Sequence, residues 1–174
     1  MTPEEQVKEA IGLGDQQESY GNFAESQKQF SAAVALCWQH NLPAALAAIA
    51  LTRVAVNAVN RDDNETADSN FQAAITAFEA DETRSNLEYA DCLTHYGHFL
   101  RGAKQWSPAV DQYAKAYILY REITSLPAAD VQQRRLALRN SLKSTAEQSD
   151  DAVRDQLRER VHAMLPRKDS PLFP

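Results

Sequence analysis

Residues 93–116 read LTHYGHFLRGAKQWSPAVDQYAKA. Leu93, Tyr96, Gly97 and Leu100 recur at the spacing of one helix face, and after a break at Gly102 to Gln105 the residues Trp106, Ala109, Tyr113 and Ala116 do the same. This stretch predicts two helices joined by a tight turn. A small residue at Gly97 lets the second helix approach, and Tyr113 fills the space so defined.

The pattern occurs three times. The first copy supplies Leu13-Gly14, then Gly21-Asn22-Phe23, Ser26, Phe30 and Ala33. The middle copy has Leu51, Val54-Ala55 and Ala58, a polar turn at Arg61 to Asn64, then Ala67, Phe71 and Ala74. Gly14, Ala55 and Gly97 are the small residues, spaced 41 and 42 apart, and Phe30, Phe71 and Tyr113 are the fillers. Small residues set the distance between helices and aromatics fill it, so each copy predicts a helical hairpin that must stack on its neighbours to bury its apolar face.

The order W-x2-L-G-x2-Y followed by A-x3-F is the signature of the tetratricopeptide repeat, which the third copy resembles through Leu93, Tyr96, Gly97, Leu100, Ala109 and Tyr113. The period exceeds the common 34 residues and in length resembles the repeats of kinesin light chain and of certain bacterial signalling regulators. The resemblance implies an all-α fold, an α-solenoid of three tetratricopeptide-like hairpins over 1–126, with a C-terminal capping helix pair over 127–164 and a tail over 165–174.

The expected helices are 3–20, 23–40, 43–61, 65–81, 85–102, 107–125, 128–147 and 150–164. Thr2 caps the first with Pro3 in its opening turn, Pro43 and Pro108 sit near helix starts, and Ser107 and Ser149 are candidate caps. The last two helices lack the repeat signature. Arg134, Arg135, Arg139, Arg154, Arg158 and Arg160 suit the solvated outer surface of a cap, and Asp150, Asp151, Asp155 and Glu159 offer them ion pairs. The tail Leu165 to Pro174 carries three prolines and reads as extended or as a docking peptide.

Composition narrows function. A net charge of −6 opposes general nucleic-acid binding, which needs a surplus of Lys and Arg. Residues 1–91 hold 15 acidic and 5 basic side chains, and residues 92–174 hold 9 and 13; such asymmetry could promote contact between copies or belong to solvated helix faces. No stretch approaches a membrane span, since Pro43, Arg53 and Asn57 interrupt the most apolar segment. The start Met-Thr-Pro-Glu-Glu is unlike a signal peptide, and a cytoplasmic protein with reduced Cys37 and Cys92 is expected.

No catalytic motif is present and no cofactor is expected. Asp91, His95 and His98 share one helix face and could ligate a divalent metal, the basis of a distant enzyme alternative, but polar residues lining a binding groove explain them as well. Cys37 beside Trp38 and His40 points away from any base on the same helix.

In proteins of the resembled fold, the first helix of each hairpin lines a concave groove that holds a peptide. Carried over by alignment of the copies, the groove positions are Asp15 and Glu18, then Arg53, Val56 and Asn60, then Asp91, His95, His98 and Arg101. Co-chaperone members grip a carboxylate terminus through two Lys, two Asn and one Arg; Ile11, Asp15, Arg53, Asp91 and His95 stand at those places, so that clamp is absent. The expectation is a non-catalytic adaptor or scaffold that binds a protein or peptide in the groove. The alternative is a self-associating module, a homo-oligomer.

Overall fold

The protein is described by a computed structural model over residues 1–149 and 151–164. All regular structure among the described residues is helical: α1 Pro3–Ser19, α2 Phe23–Gln39, α3 Ala44–Asn60, α4 Asn64–Ala80, α5 Asn86–Gly102, α6 Trp106–Tyr120, α7 Ala128–Gln148 and α8 Asp151–Met164. None is long and apolar enough to cross a membrane. The tail over 165–174 and Asp150 lie outside the described residues. The chain divides into two compact units, Met1–Ser85 with α1–α4 and Asn86–Pro174 with α5–α8.

Local signals place the helix ends. Thr2 forms a capping box with Glu5, whose N–H donates to the Thr2 hydroxyl at 3.2 Å while Glu5 accepts the Thr2 N–H at 2.7 Å, and Pro3 opens the first turn. Four helices end in one kind of turn. Gly21, Asn41, Asp62 and Lys104 are left-handed, with φ of 75, 50, 59 and 59°, and the N–H of Asn22, Leu42, Asp63 and Gln105 returns to the carbonyls of Gln17, Cys37, Ala58 and Leu100. That arrangement satisfies the last carbonyls of α1, α2, α3 and α5 and reverses the chain in few residues.

Three expected details differ. The sixth helix stops at Tyr120 rather than 125, because the N–H groups of Arg121 and Glu122 fold back on Ile118 and Leu119 and Pro127 holds its neighbour out of helical conformation. Ser107 does not cap α6, which starts a residue earlier on Gln105. Ser149 closes α7, its hydroxyl donating to the Ala146 carbonyl at 2.7 Å.

Packing follows the small-aromatic pairs. Phe30, Phe71 and Tyr113 are completely buried. The Phe30 ring lies so close to Gly14 that a Cβ there would meet it at 2.4 Å, and a Cβ on Gly97 would meet Tyr113 at 2.6 Å. In unit 1 the small side chains Ala47, Ala48, Ala50, Ala55 and Ala58 of α3 are buried, which brings α3 close to both α2 and α4. Asn57 of α3 donates to the Ser26 hydroxyl of α2 at 3.2 Å, a buried polar contact that favours one register between the hairpins.

The start of α3 has an unusual cap. Pro43 offers no side-chain acceptor, and Asp81, just after α4, accepts the Ala45 N–H at 3.0 Å from 36 residues away. One carboxylate therefore ties the end of the second hairpin to its beginning.

In unit 2, α7 opens as α3 does: Leu126-Pro127-Ala128-Ala129 repeats Leu42-Pro43-Ala44-Ala45, and Pro127 (φ −53°, ψ 141°) matches Pro43 (φ −50°, ψ 137°). Aligned on the two prolines, Arg139 stands where α3 has Ala55, but α7 then runs four residues past the point that matches the end of α3, so the alignment does not extend into α8. A bulky, exposed side chain thus replaces the small one on the first helix of the pair. The eighth helix, α8, packs on α6 as well as α7, and Leu157 and Val161 of α8 and Leu138 and Leu142 of α7 are buried.

Gly97→Ala should destabilise the protein by about 1–3 kcal/mol by forcing the Tyr113 ring aside, although Ala is the better helix former. Gly12→Ala, where nothing lies within 4 Å of the added methyl, should stabilise by up to about 1 kcal/mol. Tyr113→Ala should cost about 3–5 kcal/mol. Denaturant titration of the three variants checks the ordering.

Hydrogen bonds, first from the Thr83 hydroxyl and then from the N–H groups of Ala45 and Thr83, hold the Asp81 carboxyl below its ordinary range. A depressed carboxyl stabilises above its unfolded pKa and loses that contribution as pH falls through the folded value. Asp81→Ala should therefore melt below the parent at neutral pH, and the gap should close as thermal melts are taken below about pH 4.

Candidate functional site

In unit 1, four of the five expected groove residues meet in pairs between α1 and α3. Arg53 Nε lies 3.3 Å from Asp15 Oδ1, and Asn60 Nδ2 donates to Glu18 Oε1 at 3.0 Å; Val56 sits half-buried among them. The Arg53 and Asp15 side chains are 40% and 42% exposed, so their pairing is worth about 1 kcal/mol or less and can be exchanged for other contacts. The face carries matched charges that a partner can displace.

In unit 2, Asp91, His95, His98 and Arg101 lie along α5. Asp91 Oδ1 accepts from the Tyr120 hydroxyl of α6 and from Arg134 Nη1 of α7, the latter at 2.5 Å. The Arg134 guanidinium also sits 5.8 Å from the Tyr120 ring centroid. Burial pushes the Tyr113 hydroxyl up to about 12, and the protonated hydroxyl shares a hydrogen bond of 2.8 Å with His98 Nδ1. The His98 pKa is lowered, first by burial and then by the charges of Arg101 and His95. The neutral form of the His98 ring is thus favoured.

These side chains border a recess of about 240 Å³ between α5 and α7, to which α7 contributes Arg134, Ala137, Leu138 and Ser141. Sequence reasoning missed those four because the arginines were read as an outer surface. Arg134 and Arg160 do lie exposed, at 43% and 51%, but their partners come from other helices. Arg134 turns to Asp91, Arg135 stacks 4.8 Å over Tyr117 and donates to its hydroxyl at 2.9 Å, and Arg160 makes a bidentate contact with Asp111 at 2.5 and 2.6 Å. The tyrosines and the aspartate of α6 and α5 supply ring faces and acceptors that helix-surface partners do not. The expected pairs within α8 form at Arg154–Asp151 and Arg158–Asp155. A detectable signal was the spacing of Arg134, Ala137 or Leu138, and Ser141 along one face of α7.

Helical spacing places Asp91, His95 and His98 on one side, but Asp91 is held by Tyr120 and Arg134 and His98 by Tyr113. Among the described residues no three His, Cys, Asp or Glu side chains gather as a metal site. Cys37 is buried and its thiol pushed up to about 11, a poor nucleophile at neutral pH, while Trp38 and His40 are exposed.

The architecture is that of an all-α helical-repeat protein, in which neighbouring helices pack in sequence order within each unit. No protein-family profile matches the chain, and no curated protein matches it in sequence. Its structure is similar to that of BtubC (BKLC) from P. vanneervenii, with a TM-score of 0.70 and 14% identity over 94% of this chain. The chain spans 65% of the length of that protein, and at this identity the likeness is one of fold.

Lowering pH should weaken unit 2. Neutral His98 is favoured in the folded state, whereas the unfolded chain takes up the proton at the ordinary value of 6.5, so stability is present above 6.5 and falls as pH drops through the depressed folded value. Thermal melts between about pH 7.5 and 5.5 should show this loss, and His98→Gln should flatten it.

Proposed function

We propose that this chain is a non-catalytic tetratricopeptide-type interaction module, an adaptor or scaffold that binds a peptide or helix of another protein on the faces shared by α1 with α3 and by α5 with α7. The observation that carries the reading is that polar side chains on those helices pair across the face, Asp15 with Arg53, Glu18 with Asn60 and Asp91 with Arg134. Each pair is partly open to water and can trade its partner for a peptide backbone or side chain. The repeat signature and the likeness of fold to a helical-repeat protein support the same reading. Asp15, Glu18, Arg53, Val56, Asn60, Asp91, His95, His98 and Arg101 are the proposed contacts, and the cytoplasm is the proposed location.

Self-association is a second reading, favoured by the acidic excess of residues 1–91 against the basic excess of 92–174. Sedimentation across a wide concentration range separates the two: a constant monomer mass leaves the adaptor reading alone.

Selection of displayed random peptides on the full chain is the direct test. Enriched peptides should lose about tenfold or more in affinity with Arg53→Ala plus Arg101→Ala, while helicity and melting stay near the parent because both side chains are partly exposed. Peptides that bind parent and variant equally would remove these faces from consideration.

A further inference from the structure

We infer that α7 and α8 form a strap that opens away from α5 and α6 while that hairpin stays folded, and that charge sets how readily it opens. The motion belongs to unit 2 alone and holds whatever partner the faces take. The strap lacks what holds a hairpin together. Residues 128–164 contain no Phe, Trp or Tyr, whereas α5 and α6 each bury seven residues, among them Tyr89, Tyr96, Tyr113, Tyr117 and Tyr120. The 21 residues of α7 bury two large apolar side chains, Leu138 and Leu142, and α8 adds Leu157 and Val161. So thin an apolar seam leaves these two helices easier to open than the hairpin beneath them.

Polar contacts supply the rest of the hold. Arg134 Nη1 lies 2.5 Å from Asp91 Oδ1 of α5, Arg135 lies over the Tyr117 ring of α6 and donates to its hydroxyl at 2.9 Å, and Arg160 grips Asp111 of α6 through two bonds. Two of the three are pairs of full opposite charges. With Arg134 43% and Arg160 51% exposed, both pairs are open to screening by salt. The two helices also leave together. Arg154 of α8 donates to the carbonyls of Ala146 and Glu147 in the last turn of α7 and to that of Ser149, and α8 packs on α7 as well as α6. The hinge lies at residues 121–127, which form no helix, and Pro127 at its end has no N–H to bond back. Opening bares Tyr117 and Tyr120 and releases Asp91; only the use of that freed carboxylate in binding rests on the proposed function.

The test is native-state hydrogen exchange of the full chain, read by NMR at about 20 mM and about 500 mM sodium chloride, with α5 and α6 as the internal reference. Amides of α7 and α8 should share one protection level, about tenfold or more below that of α5 and α6, and salt should widen the gap by about threefold or more. Asp91→Asn with Asp111→Asn should widen it at low salt and remove the response to salt; should that variant unfold, the parent at the two salt concentrations decides the matter. Equal protection of all four helices would mean that the unit opens only as a whole, and would overturn the strap. Protection falling stepwise toward Met164, with α7 as protected as α6, would reduce the motion to end fraying and overturn it as well. A gap indifferent to salt would remove charge as the control.

Discussion

An aromatic ring laid against a residue with almost no side chain, Phe30 on Gly14 and Tyr113 on Gly97, is the contact on which the hairpins depend. It does two things together. The missing side chain lets two helix backbones come near, and the ring then fills the gap that would otherwise be a void. Around each such contact the rest of the hairpin has little choice of register, because sliding either helix by one residue would drive a ring into a side chain. In the fourth helix pair Arg139 stands in place of the small residue of α3, and α8 packs on α6 as well as α7.

The same packing rule generates the candidate site. Because second helices carry the rings and first helices the small residues, the outer faces of the first helices are left to polar side chains. Where two such helices lie side by side, their polar residues reach each other, giving Asp15–Arg53 and Glu18–Asn60 in unit 1 and Asp91–Arg134 in unit 2. None of these pairs is needed to hold a core, and each is only partly shielded. That combination of a rigid support and exchangeable surface partners is what a binding scaffold requires.

Much of this was legible from residue spacing. Small-to-aromatic intervals located three hairpins, and the Thr2 cap and the polar turn at Arg61 to Asn64 placed helix ends, because each of these signals acts over a few residues. Signals acting across long stretches of chain were not legible. Asp81 capping α3 in place of Pro43, and Arg134 reaching Asp91 over 43 residues, rest on side chains whose own surroundings in sequence say nothing of their partners. Arg134, Arg135 and Arg160 show the limit: each is at least partly exposed, as their charge implies, but the partners Asp91, Tyr117 and Asp111 sit on other helices.

The sequence by itself determined the helices, their order and their pairing into hairpins, since helical periodicity and the bulk of one residue every turn or two are local properties. Only the tertiary structure decided which polar groups face one another, which of two plausible partners each arginine takes, and where a recess opens between α5 and α7. The physical reason is that hydrogen bonds and ion pairs depend on distances of a few tenths of an ångström between side chains from different helices, and those distances exist only once the rings have seated and the helices have been brought together.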